Sequence, residues 1–237
     1  MIRLDDVHFC YRQGEPVLAG ISLEIPRGLT LVLGPNGAGK STFLKIVAGV
    51  ERPDRGIASI DGCDLWREEV AARQSIAYVP EQPDLTPYAT IMDVLKLVCR
   101  LRRAPVSSAR AALERAGLGQ LGNRSIRELS LGQRRRAVLA AAWIGLPKVL
   151  ILDEPLEAMD RAMRGQIITW IERSLARDAL VLIATHDLEP FVPNADRALA
   201  FQNGRSLLLD ALPADPAARL GRLEALSRGL PAAAPTL

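Results

Sequence analysis

The sequence has few of the features that mark several common protein classes. It contains three cysteines, Cys10, Cys63 and Cys99, which lie far apart in the chain. Their odd number and wide spacing argue against a disulfide framework and against a zinc site, so we expect free thiols in a reducing compartment. The longest apolar run, Ala137–Leu146, is shorter than the roughly 18 residues that a membrane-spanning helix needs. The first residues show no signal-peptide pattern.

The sequence also lacks an internal repeat and a large excess of one charge. Its 237 residues include 30 Lys and Arg against 27 Asp and Glu, which gives a formal net charge of +3. This charge is too small to indicate a nucleic-acid-binding protein. With 49% hydrophobic and 24% charged residues, the chain can bury a substantial core. Its length predicts one large domain, or one domain with a subdomain.

One nonapeptide stands out, and it has the pattern G-x-x-x-x-G-K-[ST]. It consists of Gly34, Pro35, Asn36, Gly37, Ala38, Gly39, Lys40, Ser41 and Thr42. The apolar run 29–33 before it predicts a buried strand, and residues 43–48 after it predict a helix.

Each residue type in this loop suits a phosphate group. Glycines let the backbone wrap closely around a phosphate, and the start of the following helix adds its positive dipole end. Lys40 can reach the β- and γ-phosphates, and the Ser41 hydroxyl can bind Mg²⁺. A glycine-rich turn beside a surface lysine is the alternative, but composition, spacing and context all favour a nucleoside triphosphate site.

The pattern of apolar residues predicts an α/β protein with a helical insertion. Alternation predicts strands at 2–11 and 17–25, joined by a turn at 12–16, as antiparallel material ahead of the phosphate loop. Further strands are predicted at 57–60, 75–79, 149–152 and 180–184, followed by a hairpin at 197–210. Helical spacing begins at Thr90 and predicts a subdomain over about 90–146, with its purely helical part at 90–127. The expected domain covers 1–210, and 211–237 are expected to form a short helix and a tail.

Five polar or aromatic residues at predicted strand ends are candidates for the same site. Asp153 and Glu154 follow a buried strand, where a carboxylate pair suits Mg²⁺ binding and water activation. His186 follows another strand and is either a phosphate contact or an ordinary exposed histidine. Gln82 is either aimed at a ligand or a solvated loop residue. Tyr11 either stacks on a purine or packs on the core, with no preference from spacing.

The segment Leu129–Gln133 precedes an alanine-rich helix. Ser130 is a natural N-cap for this helix. The arginines that follow, 134–136, are interpreted as a solvated helical turn and not as a nucleic-acid patch.

Taken in order, these segments resemble the nucleotide-binding subunit of ATP-binding cassette (ABC) transporters over about residues 1–210. The phosphate loop, a glutamine loop, a signature segment at 129–133, a Walker B strand at 149–153, an aspartate loop and a switch histidine occur in the family's order. Two departures are present. Leu131 replaces the first glycine of the family's LSGGQ signature, and 156–160 is a loose version of the usual loop.

The resemblance implies a P-loop NTPase core with an N-terminal antiparallel β portion and an inserted helical subdomain. It implies ATP and Mg²⁺ as ligands, and two cassettes that pair head to tail around each ATP. It also implies a role for each matching residue: adenine stacking by Tyr11; phosphate and metal binding by Lys40, Ser41 and Thr42; sensing of Mg²⁺ and the attacking water by Gln82; metal support by Asp153; the general base Glu154; a dimer bridge at Asp160; a γ-phosphate contact by His186; and completion of the partner's site by Ser130, Gly132 and Gln133.

The resemblance therefore predicts an ATP-hydrolysing subunit that energises a membrane transporter, whose permease is a separate chain. The subunit is expected in the cytoplasm, at the inner face of the membrane, and the phrases at 31–42 and 85–90 favour export. A soluble ABC-type ATPase acting on nucleic acid or ribosomes is the alternative. A catalytically silent cassette is a third possibility, against which Lys40, Asp153, Glu154 and His186 argue.

Overall fold

A computed structural model describes residues 1–11, 16–83 and 85–229. Its first layer is a four-stranded antiparallel sheet with the strand order β2-β1-β4-β5. The strands are β1 (Ile2–Phe9), β2 (Leu18–Ile25), β4 (Arg55–Ile60) and β5 (Cys63–Asp64). The alternation in β1 puts Ile2, Leu4 and Val7 in the core. Of the predicted turn at 12–16, only Pro16 lies within the described residues.

The second layer is a six-stranded sheet with the order β10-β9-β3-β8-β7-β6. Five of its strands are parallel, and only β10 pairs antiparallel with its neighbour. The strands are β3 (Gly28–Leu33), β6 (Ile76–Val79), β7 (Val149–Asp153), β8 (Leu180–Ala184), β9 (Ala195–Gln202) and β10 (Arg205–Leu209). The carboxyl ends of β3, β6, β7 and β8 therefore meet at one edge of the sheet.

Helices cover both faces of the parallel sheet. The helices are α1 (Lys40–Val47), α2 (Glu69–Arg73), α3 (Ile91–Leu101), α4 (Ser107–Arg115), α5 (Leu131–Trp143), α6 (Arg161–Leu175) and α7 (Pro216–Ser227). Val32 on β3 faces the core that α1 shares with the antiparallel sheet, where Phe43 and Phe201 lie 5.1 Å apart. Its neighbours Leu31 and Leu33 face the core shared with α5, α6 and α7. Continuous apolar strands are typical of a sheet that is buried on both faces.

The helical layer has a hydrophobic core of its own, formed between α3, α4 and the inner face of α5. Thr90 caps α3 with a full capping box, because its side chain accepts a hydrogen bond from Asp93 N–H and Asp93 reaches back to Thr90. Beyond α4 the chain makes only two short 3₁₀ turns before α5, at Gly119–Leu121 and Ile126–Glu128. The helical pattern predicted up to 127 is therefore less regular than expected at its end.

The strands and helices agree closely with those predicted from the sequence, and the fold class is confirmed. One boundary differs with a consequence for the site: α1 begins at Lys40, and not at Phe43. The predicted C-terminal helix is present and is capped by Asp215, whereas the tail beyond 229 lies outside the described residues. In the described part of the chain, no helix combines the length and the apolar character needed to cross a bilayer.

Candidate functional site

A cavity of about 860 Å³ lies at the carboxyl edge of the parallel sheet. The loops after β3, β6, β7 and β8 form its walls, together with the end of β1. The predicted site residues that line it are Tyr11, Asn36, Gly37, Gly39, Lys40, Ser41, Thr42, Asp153, Glu154 and His186. Segments far apart in the sequence are thus brought to one place by the strand order.

The phosphate loop, 34–39, has a backbone that favours glycine. Gly34 has φ 136°, and a Cβ added there would lie 2.3 Å from the Phe201 carbonyl oxygen. Because α1 begins at Lys40, the N–H groups of its first turn have no acceptor within the helix and point toward the cavity end. An anion placed there is stabilised by these donors and by the helix dipole.

Lys40 adds the positive charge of the site. Its Nζ donates hydrogen bonds to the carbonyl oxygens of Gly34, at 2.7 Å, and Pro35, at 3.1 Å. Burial lowers the pKa of Lys40, and the charges of Glu154, Asp153 and Glu81 oppose this effect. Lys40 therefore faces three carboxylates across the cavity.

Asp153 and Glu154 occupy the end of β7. Asp153 is 4% exposed, and burial raises its pKa, while a hydrogen bond from Ser41 opposes the rise. Glu154 has φ 48°, in the left-handed region. Its N–H donates to the Ala184 carbonyl oxygen at 2.8 Å. This contact with β8 helps to hold the unusual backbone conformation, and such conformations cluster at functional sites.

The Glu154 carboxylate is held by the segment that follows β8. The Thr185 hydroxyl donates to Glu154 Oε2 at 3.0 Å, and the same hydroxyl accepts a hydrogen bond from Asp187 N–H at 3.1 Å. His186 Nε2 lies 3.8 Å from Glu154 Oε1. Burial raises the pKa of Glu154, and the bond from Thr185 opposes that rise. Thr185 was not among the predicted site residues, although it stands directly between the predicted strand and His186.

Tyr11 borders the cavity at the end of β1. Its ring packs edge-on against Phe9, with centroids 4.8 Å apart, and remains 54% exposed. Its hydroxyl lies 3.4 Å from Thr42 Oγ1. The ring therefore has both a packed edge and an open surface, so purine stacking stays a prediction for this residue.

Eight predicted site residues do not line the cavity, and five of them lie outside the phosphate loop, namely Gln82, Ser130, Gly132, Gln133 and Asp160. Gln82 is exposed, and its neighbour Glu81 lines the cavity instead. Ser130 caps α5, accepting from Gln133 N–H at 3.2 Å while Gln133 Oε1 accepts from Ser130 N–H at 2.9 Å. Asp160 caps α6 through Met163 N–H, at 2.8 Å. Gly34, Pro35 and Ala38 shape the loop without lining the cavity.

The interpretation of the arginine triplet as a solvated turn is wrong. Arg134 Nε donates to the Leu129 carbonyl oxygen at 3.1 Å, and Arg136 Nη2 donates to Asp160 Oδ2 at 2.5 Å. Arg135 makes two bonds to Glu157, and its side chain is only 12% exposed. Propensity and charge alone could not show that the loop after β7 passes beside this face of α5.

The oxygen atoms in the cavity fit Mg²⁺. Ser41 supplies a hydroxyl and Asp153 a carboxylate, and a carboxylate of Glu81 is near enough to raise the pKa of Asp153. Mg²⁺ prefers hard oxygen ligands and is commonly held by one or two protein groups together with substrate phosphates. In the described residues no group of three or more His, Cys, Asp or Glu is arranged so that it could hold a metal ion by itself, so the fit depends on further ligands from nucleotide phosphates.

Comparison with known proteins adds to this geometry. The family whose sequence model matches, over residues 18–157, is described as ABC transporter. The molybdenum import ATP-binding protein ModC 2 of Bradyrhizobium diazoefficiens is 34% identical over 90% of this chain and 24% of its own length. The molybdate/tungstate import ATP-binding protein WtpC of Archaeoglobus fulgidus is 35% identical over 78% of each. The chain thus spans about a quarter of the first relative.

A solved structure described as the dimeric structure of MJ0796, a bacterial ABC transporter cassette, has the same fold. Its TM-score is 0.75 at 25% identity, covering 87% of this chain and 98% of the other.

Proposed function

The chain belongs to the ABC transporter family as an ATP-binding subunit, and from this premise we propose that it binds Mg-ATP at the carboxyl edge of its parallel sheet and hydrolyses it to drive transport. The observation that carries the proposal is the meeting of Lys40, Asp153 and Glu154 in one cavity. A cation over the phosphates, a metal-binding carboxylate and a proton acceptor are the parts that phosphoryl transfer to water requires.

The roles follow from the positions of the side chains. Lys40 and the N–H groups at the start of α1 would bind the phosphates. Mg²⁺, held by Ser41 and Asp153, would neutralise phosphate charge. Glu154, oriented by Thr185, would accept the proton of the attacking water. His186, 65% exposed on the rim of the cavity, is free to contact the outer phosphate.

A second cassette would complete the site. Ser130, Gly132 and Gln133 lie at the start of α5, outside the cavity, with backbone N–H groups at a helix N-terminus. Such a helix start suits a phosphate of another subunit. The dimeric arrangement named for MJ0796 supports pairing of two cassettes. In such a dimer Asp160 would lie near the interface, and Gln82 would contact the attacking water or the metal ion.

We further propose that a separate membrane permease carries the cargo and holds this subunit at the inner face of the membrane. The two relatives described above are named import ATP-binding proteins. The expectation of export therefore has no support from them, and their names make molybdate-like oxyanions one cargo class to test.

The proposal is tested by comparing three variants with the native protein. Lys40→Ala is expected to lose ATP hydrolysis and most Mg-ATP affinity. Glu154→Gln is expected to bind ATP without turnover and to elute as a dimer in its presence. Lys148→Ala is the control, because Lys148 is exposed at the opposite end of β7. Unchanged turnover in Lys40→Ala would overturn the assignment.

A further inference from the structure

Arg135 links α5 to the loop that follows Glu154. Its Nη1 donates to the Glu157 carbonyl oxygen, and its Nη2 donates to Glu157 Oε2, both at 2.8 Å. One guanidinium therefore holds both the backbone and the side chain of the same residue. Charge-assisted bonds of this kind are stronger than neutral ones and fix the geometry of both partners.

The bonds that Arg135 makes lie next to the proposed general base. Glu157 N–H donates to the Glu154 carbonyl oxygen at 3.1 Å, which closes a turn over residues 154–157. Glu154, at the start of this turn, and Ala158, directly after it, have positive φ values of 48° and 55°. Non-glycine residues adopt this conformation only when surrounding contacts hold it.

The surroundings of Arg135 are also confined. A narrow cavity beside its side chain is lined by Glu81, Glu154, Pro155 and Glu157, among others. The Nε atom of Arg135 is buried and has no hydrogen-bond partner among the residues that the structure describes. Burying an arginine with an unsatisfied donor costs free energy of folding unless its other contacts offset that cost. The contacts that can do so are the two hydrogen bonds to Glu157.

We propose that Arg135 is a positioning residue for hydrolysis, which holds the strained 154–157 turn and thereby keeps the Glu154 carboxylate in place. The hydrogen bonds that its guanidinium makes go to Glu157, and not to the phosphate loop or to the Ser41–Asp153 pair. Its loss should lower the rate of hydrolysis while leaving ATP binding unchanged. The catalytic consequence rests on the proposed function. The two Arg135–Glu157 hydrogen bonds, here called the clamp, can be tested without nucleotide.

The chain offers a matched control in Arg27. This arginine also makes one bond to a backbone carbonyl, at Asp178, and one to a carboxylate, at Asp61, both at 3.0 Å. It precedes β3 and so lies at the opposite edge of the sheet from Glu154. Arg27→Met removes the same kind of contact far from the cavity.

Turnover separates a positioning role from a structural one. In Arg135→Met we expect kcat to fall at least tenfold and KM for ATP to stay within twofold, while Arg27→Met keeps the native kcat. Arg135→Lys should restore most of the activity, since an ammonium can still donate to both Glu157 oxygens. Glu157→Gln should lose less than Arg135→Met, and the double variant should be no worse than Arg135→Met alone.

Hydrogen exchange of the backbone tests the clamp separately. In the nucleotide-free protein, Arg135→Met should speed exchange over 154–160 about tenfold, and Arg27→Met should not. Unchanged exchange, or a kcat within twofold of native in Arg135→Met, overturns the inference. If the native protein hydrolyses no ATP while the exchange changes as expected, the proposed function and the catalytic consequence both fail, and only the clamp is upheld.

Discussion

Removing the Thr185 hydroxyl should change how the rate of hydrolysis depends on pH. Thr185 is 4% exposed and makes two contacts through one oxygen, to the Glu154 carboxylate and from Asp187 N–H. Thr185→Val keeps the shape of the side chain and removes both. Because the bond from Thr185 holds the pKa of Glu154 down against the effect of burial, its loss should raise that pKa further.

The direction of the pH effect follows from the role of Glu154. A general base must be ionised to accept a proton, so a higher pKa moves the acid limb of the kcat profile to higher pH. A hydrogen bond to a charged group contributes about 1.5–3 kcal/mol. The His186 N–H stays 3.4 Å from the same oxygen, so we take the lower end of this range. This corresponds to roughly a tenfold lower kcat on the acid limb, with recovery as the pH rises.

The assay is steady-state hydrolysis of ATP between about pH 5.5 and 9, with Thr185→Ser as the control that keeps the hydroxyl. Thermal unfolding at each pH separates loss of activity from loss of folded protein, because the freed Asp187 N–H should cost about 1–3 kcal/mol of stability. An unshifted acid limb in Thr185→Val would refute the reasoning. Equal shifts in the valine and serine variants would refute it as well.

Two further predictions concern α5 and its surroundings. Leu131 lies in the first turn of α5, outside the positive-φ region and 57% exposed, so Leu131→Gly should change turnover less than about tenfold. Ser130→Ala should lower turnover more, because it removes the cap as well as a proposed phosphate contact; a rise by orders of magnitude in Leu131→Gly would mark the signature as degenerate. Arg102 donates to three carbonyls at the end of α5 and to one in β6, and burial lowers its pKa to about 10. Arg102→Met should lose roughly 3 kcal/mol of stability, or about 6–12 °C in Tm, against little change in the exposed Arg103→Met.

The sequence predicts the strands and the phosphate loop well because local signals determine both. Apolar runs bounded by Gly and Pro mark buried strands, and the glycine spacing of 34–39 requires a loop whose φ values are positive at Gly34, Gly37 and Gly39. The strand-end positions of Asp153 and His186 then follow from parallel pairing, since carboxyl ends meet at one edge.

The contacts between loops could not be predicted in the same way. Thr185 and Glu154 are 31 positions apart, and Arg135 and Glu157 are 22 apart. Their meeting depends on which strands neighbour each other and on how closely α5 approaches the loop after β7. Local propensity carries no information about either, so a half-buried ion pair and a solvated turn have the same sequence pattern.

The hydrogen bonds at both ends of α5 indicate how the signature segment at Ser130 and the proposed base Glu154 keep a fixed position relative to each other. At its start, Arg135 and Arg136 bind the loop that leads from Glu154 to Asp160. At its end, Arg102 joins α3, the last carbonyls of α5 and the strand β6. A displacement of α5 relative to the sheet must therefore break charge-assisted bonds at one end or the other. Ser130, which is proposed to contact a partner's ATP, caps this same helix. It is therefore linked through Arg135 and Arg136 to the loop after Glu154, the base proposed to act on the chain's own ATP.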